Sequence, residues 1–171
     1  MDTELPLYTP EELSTRAPRS RSRHRRTLQA LRTQGKTGLD ALHTADEAAF
    51  ARQDCLTCAN CCKTISPTLT QSDVRSLGKA LRMSEAQLFK HYLQYDEEGD
   101  IVMQHTPCPF LQEDNACKVY HARPTACRRY PHTDQAYALS RARLTEQNAA
   151  VCPAVDWMLR VLERKLQVYH K

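Results

Sequence analysis

The 171-residue chain is long enough for about one domain, and its 41% hydrophobic content allows a core to form. Its four glycines cannot be arranged into a GxGxxG or GxxxxGK[ST] loop, which excludes the usual dinucleotide and P-loop nucleotide sites. No apolar run approaches the ~18 residues of a membrane-spanning helix, and the acidic start lacks the apolar stretch of a secretory signal. We therefore expect a cytoplasmic protein without a membrane partner.

The first 26 residues are predicted to form a flexible basic tail. Residues 16–36 carry eight positive charges and no negative one, although the net charge of the chain is only +4. Like charges at this density repel one another, so we expect disorder or a solvated helix start. Nucleic-acid binding is the alternative to a solvated tail, and its phosphate contacts would come from Arg16, Arg19, Arg21, Arg23, Arg25 and Arg26.

A helical extension is predicted over residues 27–53, where apolar residues recur at steps of three and four. Gly35 and Gly38 are expected to divide this stretch into two helices, because glycine is unfavourable inside a helix. Two further helices are predicted to begin after Thr70 and Ser84. Each of these residues has a capping-box partner three positions later and precedes an apolar stripe.

The second half of the chain is expected to be richer in loops. A short strand is predicted at residues 101–104, and residues 105–132 contain four prolines that favour loops and single turns. Residues 134–149 could be helical. A last helix is predicted to begin at Pro153, with Trp157 in the core or at a packing edge.

These elements predict a mainly α fold, a small irregular helical domain whose proline-rich cysteine loops are organised by metal. Metal ligation would stabilise a region that has few apolar residues of its own. The predicted organisation is a basic tail (1–26), a helical extension (27–53), a cysteine-cluster domain (54–156) and a C-terminal helix that packs on it (157–171).

Eight cysteines make metal binding the leading prediction. In a chain without an export signal, such a set favours metal ligands over disulfides. The first group reads C-x2-C-x2-C-C, and two intervening residues let a turn direct both thiolates at one metal. The candidate ligands are Cys55, Cys58, Cys61, Cys62, Cys108, Cys117, Cys127 and Cys152.

The spacing favours an iron–sulfur cluster and leaves zinc open. Cys55, Cys58 and Cys61 reproduce the C-x2-C-x2-C run of bacterial ferredoxins, whose fourth ligand is a cysteine followed by proline. Cys108 and Cys152 are each followed by proline, which favours a four-iron (4Fe-4S) cluster. Zinc also accepts four cysteines from widely separated halves of a chain.

The adjacent Cys61 and Cys62 are expected to play different roles, because neighbouring side chains diverge in helical and extended backbone alike. In a helix, Cys62 would share a face with Cys55 and Cys58, whereas a turn wrapped around a cluster would use Cys61 instead. We expect one of the pair to serve the principal site.

The order of these motifs resembles the YkgJ-like cysteine-cluster family, described as a zinc- or iron-chelating domain. The motifs are CxxCxxCC at 55–62, CPFL at 108–111, CKVY at 117–120, RP at 123–124, CRRYP at 127–131 and CP at 152–153. The resemblance implies that all eight cysteines are candidate ligands. It also implies that the site is shaped by Arg123, Pro124, Arg128, Tyr130 and Pro131. Where the family commonly has glycine after the second cysteine, this chain has Ala59.

The leading functional prediction is a metal-binding protein that acts as an accessory or redox partner of an unidentified protein. A similar module occurs in flagellin lysine N-methylases, and this resemblance implies an iron–sulfur or radical-chemistry context. The chain has neither a nucleophile elbow nor an HExxH motif, so we expect no independent catalytic activity and assign no catalytic residue. The alternative is a thiol-based oxidoreductase or a metal carrier in which some cysteines stay free.

Overall fold

The computed structural model describes residues 5–168, and more than half of these residues are helical. The α-helices in chain order are α1 (Pro10–Thr33), α2 (Lys36–Phe50), α3 (Cys55–Cys58), α4 (Asn60–Thr64), α5 (Gln71–Leu81), α6 (Glu85–His91), α7 (Thr125–Arg129), α8 (Ala142–Asn148) and α9 (Pro153–Val168). Strands β1 (Leu93–Tyr95) and β2 (Ile101–Met103) form an antiparallel pair, and short 3₁₀ turns span Tyr120–Ala122 and Ala138–Arg141. The predicted mainly α fold is confirmed. Among the helices of residues 5–168, none has both the length and the apolar character that crossing a membrane requires.

The chain divides into two compact units that differ from the predicted domains. The first unit contains the residues up to Asp54 and those from Pro131 onward, and the second unit is Cys55–Tyr130. The sequence predicts that the cysteine-cluster domain extends to residue 156 and that the last helix packs on it, and the structure places residues 131–156 in the first unit. Within that unit, α9 packs against α1 and α2. The reason is that α9 is buried at every position from Pro153 to Leu162, so it needs neighbours on several sides.

The core of the first unit forms where α1, α2 and α9 meet. Trp157 is buried there, as predicted, and its indole N–H donates to the carbonyl of Leu5 at 2.8 Å. Gly35 separates α1 from α2 with a positive φ of 59°. Gly38 lies inside α2 instead, where a Cβ would come within 1.9 Å of the Leu31 carbonyl oxygen. Glycine at this position therefore allows the two helices to approach closely.

The arginine-rich segment is an ordered helix, where the sequence predicted disorder or a solvated helix start. It lies within α1, whose first turn is closed by a capping box between Thr9 and Glu12 and whose inner face buries Leu13 and Leu28. Glu146 of α8 accepts hydrogen bonds from Arg21 at 2.7 Å and from Arg25 at 3.0 Å. This buried acid relieves the repulsion between the arginines, and its distance along the chain hides it from local sequence patterns.

The ion pairs of Glu146 predict an acid-sensitive contribution to stability. Hydrogen bonds from Arg25 and Arg21 outweigh burial and lower the pKa of Glu146 to about 2. A depressed pKa means that the contribution is present above the ordinary pKa of about 4.5 and is lost as the pH falls toward 2. We expect Glu146→Gln to cost about 1–2 kcal/mol at pH 7, after discounting for the exposed arginines, and progressively less in acid. Urea unfolding followed by the fluorescence of Trp157 measures this difference, and a difference that does not change with pH contradicts it.

The second unit has its own small core beneath α5, α6 and the strand pair. The capping boxes at Thr70 and Ser84 are confirmed, and the predicted strand is β2. Cys108 and Cys117 pack partly against this core, so the core fixes the two loops that carry them. The buried residues are Leu69, Val74, Leu77, Leu88, Leu93, Ile101, Met103, Phe110 and Val119.

Candidate metal centre

The first cysteine group forms two consecutive helical turns, α3 and α4, joined by Ala59. The Ala59 N–H donates to the Cys55 carbonyl at 2.8 Å, and the Lys63 N–H donates to the Ala59 carbonyl at 3.1 Å. Ala59 has φ 49° and ψ 15°, which is the left-handed region. This conformation explains physically why glycine suits the position, because an alanine Cβ there is strained.

The conformation of Ala59 gives a graded prediction. We expect Ala59→Gly to change the free energy of unfolding by less than about 0.5 kcal/mol, because relief of strain is offset by chain entropy and by loss of a buried methyl group. Ala59→Val should cost about 2 kcal/mol, since a β-branched side chain is strongly disfavoured at positive φ. Thermal unfolding of the three proteins tests this, and a valine variant as stable as the parent would contradict it.

Three further cysteines are brought to the first group by separate segments. The Cys108 N–H donates to the Cys62 carbonyl at 2.8 Å, which ties the CPFL loop directly to α4. Cys117 pairs with Leu111 in an isolated antiparallel bridge, so the loop that follows Cys108 returns beside it. Cys127 lies within α7.

Cys62, Cys108, Cys117 and Cys127 form what we call the central thiol group. Each of the four is close enough to the other three for their charges to interact. Burial raises the pKa of Cys127 to about 12, and the neighbouring thiolates add to the rise. Burial also raises the pKa values of Cys108 and Cys117. A cation at this position would reverse these penalties, because it favours the thiolate form.

Backbone amides point at two sulfurs of the central thiol group. The Cys108 thiol accepts hydrogen bonds from the N–H groups of Phe110 and Leu111, and the Cys117 thiol accepts one from Val119. Amides that donate to sulfur stabilise the thiolate form and tune the properties of a metal held there. The CPFL and CKVY turns are thus shaped to present thiolates.

The vicinal cysteines differ, as the sequence suggested, although their roles as ligands stay predictions. The Cys61 thiol donates a hydrogen bond to the Cys62 sulfur, which is the largest cause of lowering the pKa of Cys62 to about 7, while burial opposes it. Cys62 belongs to the central thiol group, and Cys61 stands next to it. Of the other two, Cys55 is exposed and Cys58 is half-buried.

We therefore expect unequal effects from single substitutions of the vicinal pair. Cys62→Ser should remove most of the bound metal, whereas Cys61→Ser should retain at least about half. In metal-free protein, alkylation of Cys62 should be half-maximal near pH 7 and should move to higher pH in Cys61→Ala, because the hydrogen bond is lost. Elemental analysis and peptide mass spectrometry measure both effects. Equal metal losses from the two variants would count against this assignment.

Arg123 supplies positive charge to the central thiol group. Its charge acts on Cys62, Cys117 and Cys127. The guanidinium is fixed in place, because its Nε donates to the Tyr120 carbonyl at 3.0 Å and its Cζ lies 3.7 Å from the centre of the Tyr120 ring. An arginine that is held in this way can offset part of the negative charge of clustered thiolates.

Asp73 connects α5 to the helix that carries Cys127. One carboxylate oxygen accepts from the Thr70 N–H and hydroxyl at 3.0 and 2.7 Å, closing the capping box of α5. The other oxygen accepts from the Thr125 N–H and hydroxyl, both at 2.9 Å, at the start of α7. Although burial opposes ionisation, these four hydrogen bonds lower the pKa of Asp73. The spacing of Thr70 and Asp73 in the sequence predicted the capping box, but it did not predict the hydrogen bonds to Thr125.

The remaining predicted residues fall in both units. Pro124 precedes α7 and is buried, and the Arg128 guanidinium donates to the Arg123 carbonyl and to the Thr125 hydroxyl. Tyr130 follows α7 at the end of the second unit.

Pro131 and Cys152 belong to the first unit. The Asn148 side chain donates to the Pro131 carbonyl at 2.9 Å, and Cys152 is buried just before α9. Their contribution to a metal site stays a prediction.

The donor set of the central thiol group fits a thiophilic metal. Thiolate sulfur is a preferred ligand of zinc and of iron–sulfur clusters alike. Within residues 5–168, no group of three or more His, Cys, Asp or Glu side chains stands in a geometry that could already hold a metal ion. The site is therefore identified by the chemistry and burial of its thiol donors and not by an arrangement of ligands around a metal position.

These features define a cysteine-rich metal-binding module. The chain belongs to the CxxCxxCC family, whose description is "putative zinc- or iron-chelating domain" and whose match covers residues 54–153. The uncharacterized protein MJ0661 of Methanocaldococcus jannaschii is 29% identical over 84 residues, covering 47% of this chain and 45% of the relative. The chain thus spans less than half the length of that relative. No solved structure matches the chain.

Proposed function

We propose that the second unit binds an iron–sulfur cluster through the central thiol group and that the protein serves as an accessory or redox partner of another protein. The observation that carries this proposal is the convergence of four thiols from four separate segments, with each within electrostatic reach of the other three. Because the ligands come from distant parts of the unit, metal binding and ordering of the loops are coupled.

Two observations favour an iron–sulfur cluster as the bound group. The Cys108–Pro109 pair of the central thiol group matches the cysteine–proline ligand of ferredoxins, and the ferredoxin-like C-x2-C-x2-C run of Cys55, Cys58 and Cys61 directly precedes Cys62 in the chain. The amides that donate to Cys108 and Cys117, and the nearby charge of Arg123, are the kind of groups that tune cluster potentials. When bound, such a cluster supplies one-electron transfer. The protein's residues hold it, neutralise part of its charge and limit its contact with water.

Zinc is the second candidate, favoured by the number of thiols in the central thiol group. Four thiolates complete the tetrahedral shell of a structural zinc and leave no open position for substrate. In that case the site would stabilise the loops of residues 105–130 and the module would present a binding surface to its partner. A zinc site and an iron–sulfur cluster contain different elements, so elemental and sulfide analysis distinguishes them.

A thiol-based oxidoreductase or metal carrier is the alternative of a different class. It draws support from the contact between Cys61 and Cys62, because a thiolate with a lowered pKa beside a second thiol resembles a reactive pair. This alternative requires that the vicinal thiols remain free in the natively prepared protein. Catalysis by the chain alone is not part of our proposal.

Anaerobic purification of the full chain tests these assignments. We expect a brown protein that absorbs blue light. It should contain about four iron atoms and four acid-labile sulfide ions per chain, as a four-iron cluster requires. A colourless protein with stoichiometric zinc would replace the iron–sulfur assignment with the structural one. A protein without either metal, in which all eight thiols titrate as free, would overturn metal binding and support the thiol alternative.

A further inference from the structure

The structure sorts the arginines of α1 into two sets. Arg21 and Arg25 are bound to the buried carboxylate of Glu146, through hydrogen bonds of 2.7 to 3.0 Å. Their guanidinium groups satisfy an acid inside the first unit, so they are poor candidates for phosphate contacts. This removes two of the six arginines that the sequence alone suggested.

The other four arginines lie along one side of the helix. They are Arg16, Arg19, Arg23 and Arg26, and we call them the basic stripe. Their spacing of three, four and three residues confines them to about 80° of the helix circumference and about 15 Å of its length. All four residues are exposed.

The basic stripe is only weakly engaged by the protein itself. Arg16 stacks on the ring of Tyr8 at 4.3 Å, and Arg23 lies 3.8 Å from a carboxylate oxygen of Glu163. Arg19 and Arg26 make no ion pair with another residue of the described range 5–168. Four positive charges therefore stand in a row with little internal compensation.

We propose that the basic stripe binds the phosphate backbone of double-stranded nucleic acid without sequence preference. A duplex presents about one charge per 1.7 Å of its axis, so a 15 Å row of cations meets a dense line of anions. The helix is already ordered, because Leu13, Leu28 and Leu31 on its inner face are buried. Binding therefore does not have to order the segment, which a flexible tail would require.

Other polyanionic surfaces fit the stripe less well. The ring of Tyr8, beside Arg16, already contacts the guanidinium groups of Arg16 and Arg160 at 4.3 and 4.1 Å, so it is a poor platform for stacking single-stranded bases. A helix that lies on a membrane inserts its apolar face, and here that face is buried within the first unit. A duplex needs only an exposed cationic row, which is what α1 offers.

Binding of the full-length protein to a fluorescent 20-base-pair duplex tests the proposal. Fluorescence anisotropy between about 50 and 300 mM salt should give a plot of log K against log salt with a slope of about −3 to −4, as expected for four phosphate contacts. Arg19→Gln/Arg26→Gln should weaken binding at least tenfold at low salt and reduce the slope by about 2. Circular dichroism confirms that α1 remains folded in each variant.

A matched control distinguishes the effect of the basic stripe on binding from the effect of the protein's net charge. Arg32→Gln/Arg143→Gln removes the same two charges from exposed positions outside the stripe, and we expect it to change the affinity less than about threefold. Equal weakening by both pairs, an unchanged slope, or no binding at low salt would overturn the proposal. Binding to phosphatidylserine vesicles but not to the duplex would overturn it as well. None of these outcomes depends on the metal, so they leave the proposed function of the second unit untouched.

Discussion

Replacing Cys127 with serine is expected to reduce the metal content of the purified protein at least tenfold. Cys127 is the most strongly desolvated member of the central thiol group, and burial with neighbouring thiolates raises its pKa to about 12. Such a thiol is uncharged unless a cation binds, so metal binding at this position is coupled to loss of the Cys127 proton. Serine keeps the size of the side chain but is a much poorer metal ligand. Elemental analysis and visible absorption measure the loss.

The neighbouring residue provides the control for that substitution. Ala126→Ser adds a hydroxyl one position earlier on the same helix, where the side chain is also half-buried, without removing a thiol. We expect it to retain about the parental metal content. If Cys127→Ser also keeps its metal, Cys127 is not a ligand. If both variants lose metal equally, the effect is a disturbance of α7 rather than of coordination.

Substitution of Asp73 is expected to destabilise the second unit although Asp73 is not a thiol. Asp73→Ala leaves the amides and hydroxyls of Thr70 and Thr125 without their acceptor, and we expect a cost of about 3 kcal/mol. Asp73→Asn keeps one carbonyl oxygen and should cost about 2 kcal/mol. Chemical unfolding followed by circular dichroism, together with metal content, measures both. Because α7 starts at Thr125, metal affinity should fall along with stability.

The pH dependence of stability and a control substitution at Asp96 test whether the effect is specific to Asp73. The pKa of Asp73 is lowered, so its contribution should be present above pH ~4 and lost as the pH falls through the folded-state pKa. Asp96 accepts two backbone hydrogen bonds in an exposed hairpin of the same unit, from Glu98 and Asp100. We expect Asp96→Asn to cost less than about 1 kcal/mol and to leave metal content unchanged. An Asp96 variant as damaging as Asp73→Asn would show that the connection between α5 and α7 has no special role.

Local signals in the sequence predicted the elements that depend on neighbours in the chain. The capping boxes at Thr70 and Ser84, the strand at 101–103 and the start of α9 at Pro153 all follow from residues within a few positions of one another. Each involves hydrogen bonds or dihedral preferences that the local residues alone determine.

Features that depend on distant residues could not be predicted in the same way. The arginine-rich segment is helical because Glu146 and the apolar surface of α9 meet it, and both lie more than 100 residues away. The second role of Asp73 needs Thr125, which is 52 residues farther along the chain. The unit boundary after Tyr130 likewise reflects packing and not a change in composition. For the metal centre, spacing identified all the candidate thiols, but their grouping around Cys62 required the fold.

Protection of individual thiols by bound metal tests the central claim most directly. Natively prepared protein is alkylated with and without prior removal of metal by a chelator, and each cysteine is quantified by peptide mass spectrometry. We predict that Cys62, Cys108, Cys117 and Cys127 are protected together and that chelation increases the reactivity of all four, more at Cys62, whose pKa is about 7, than at Cys127, whose pKa is raised to about 12. Alkylation of these four cysteines at the same rates before and after chelation would contradict a shared metal centre.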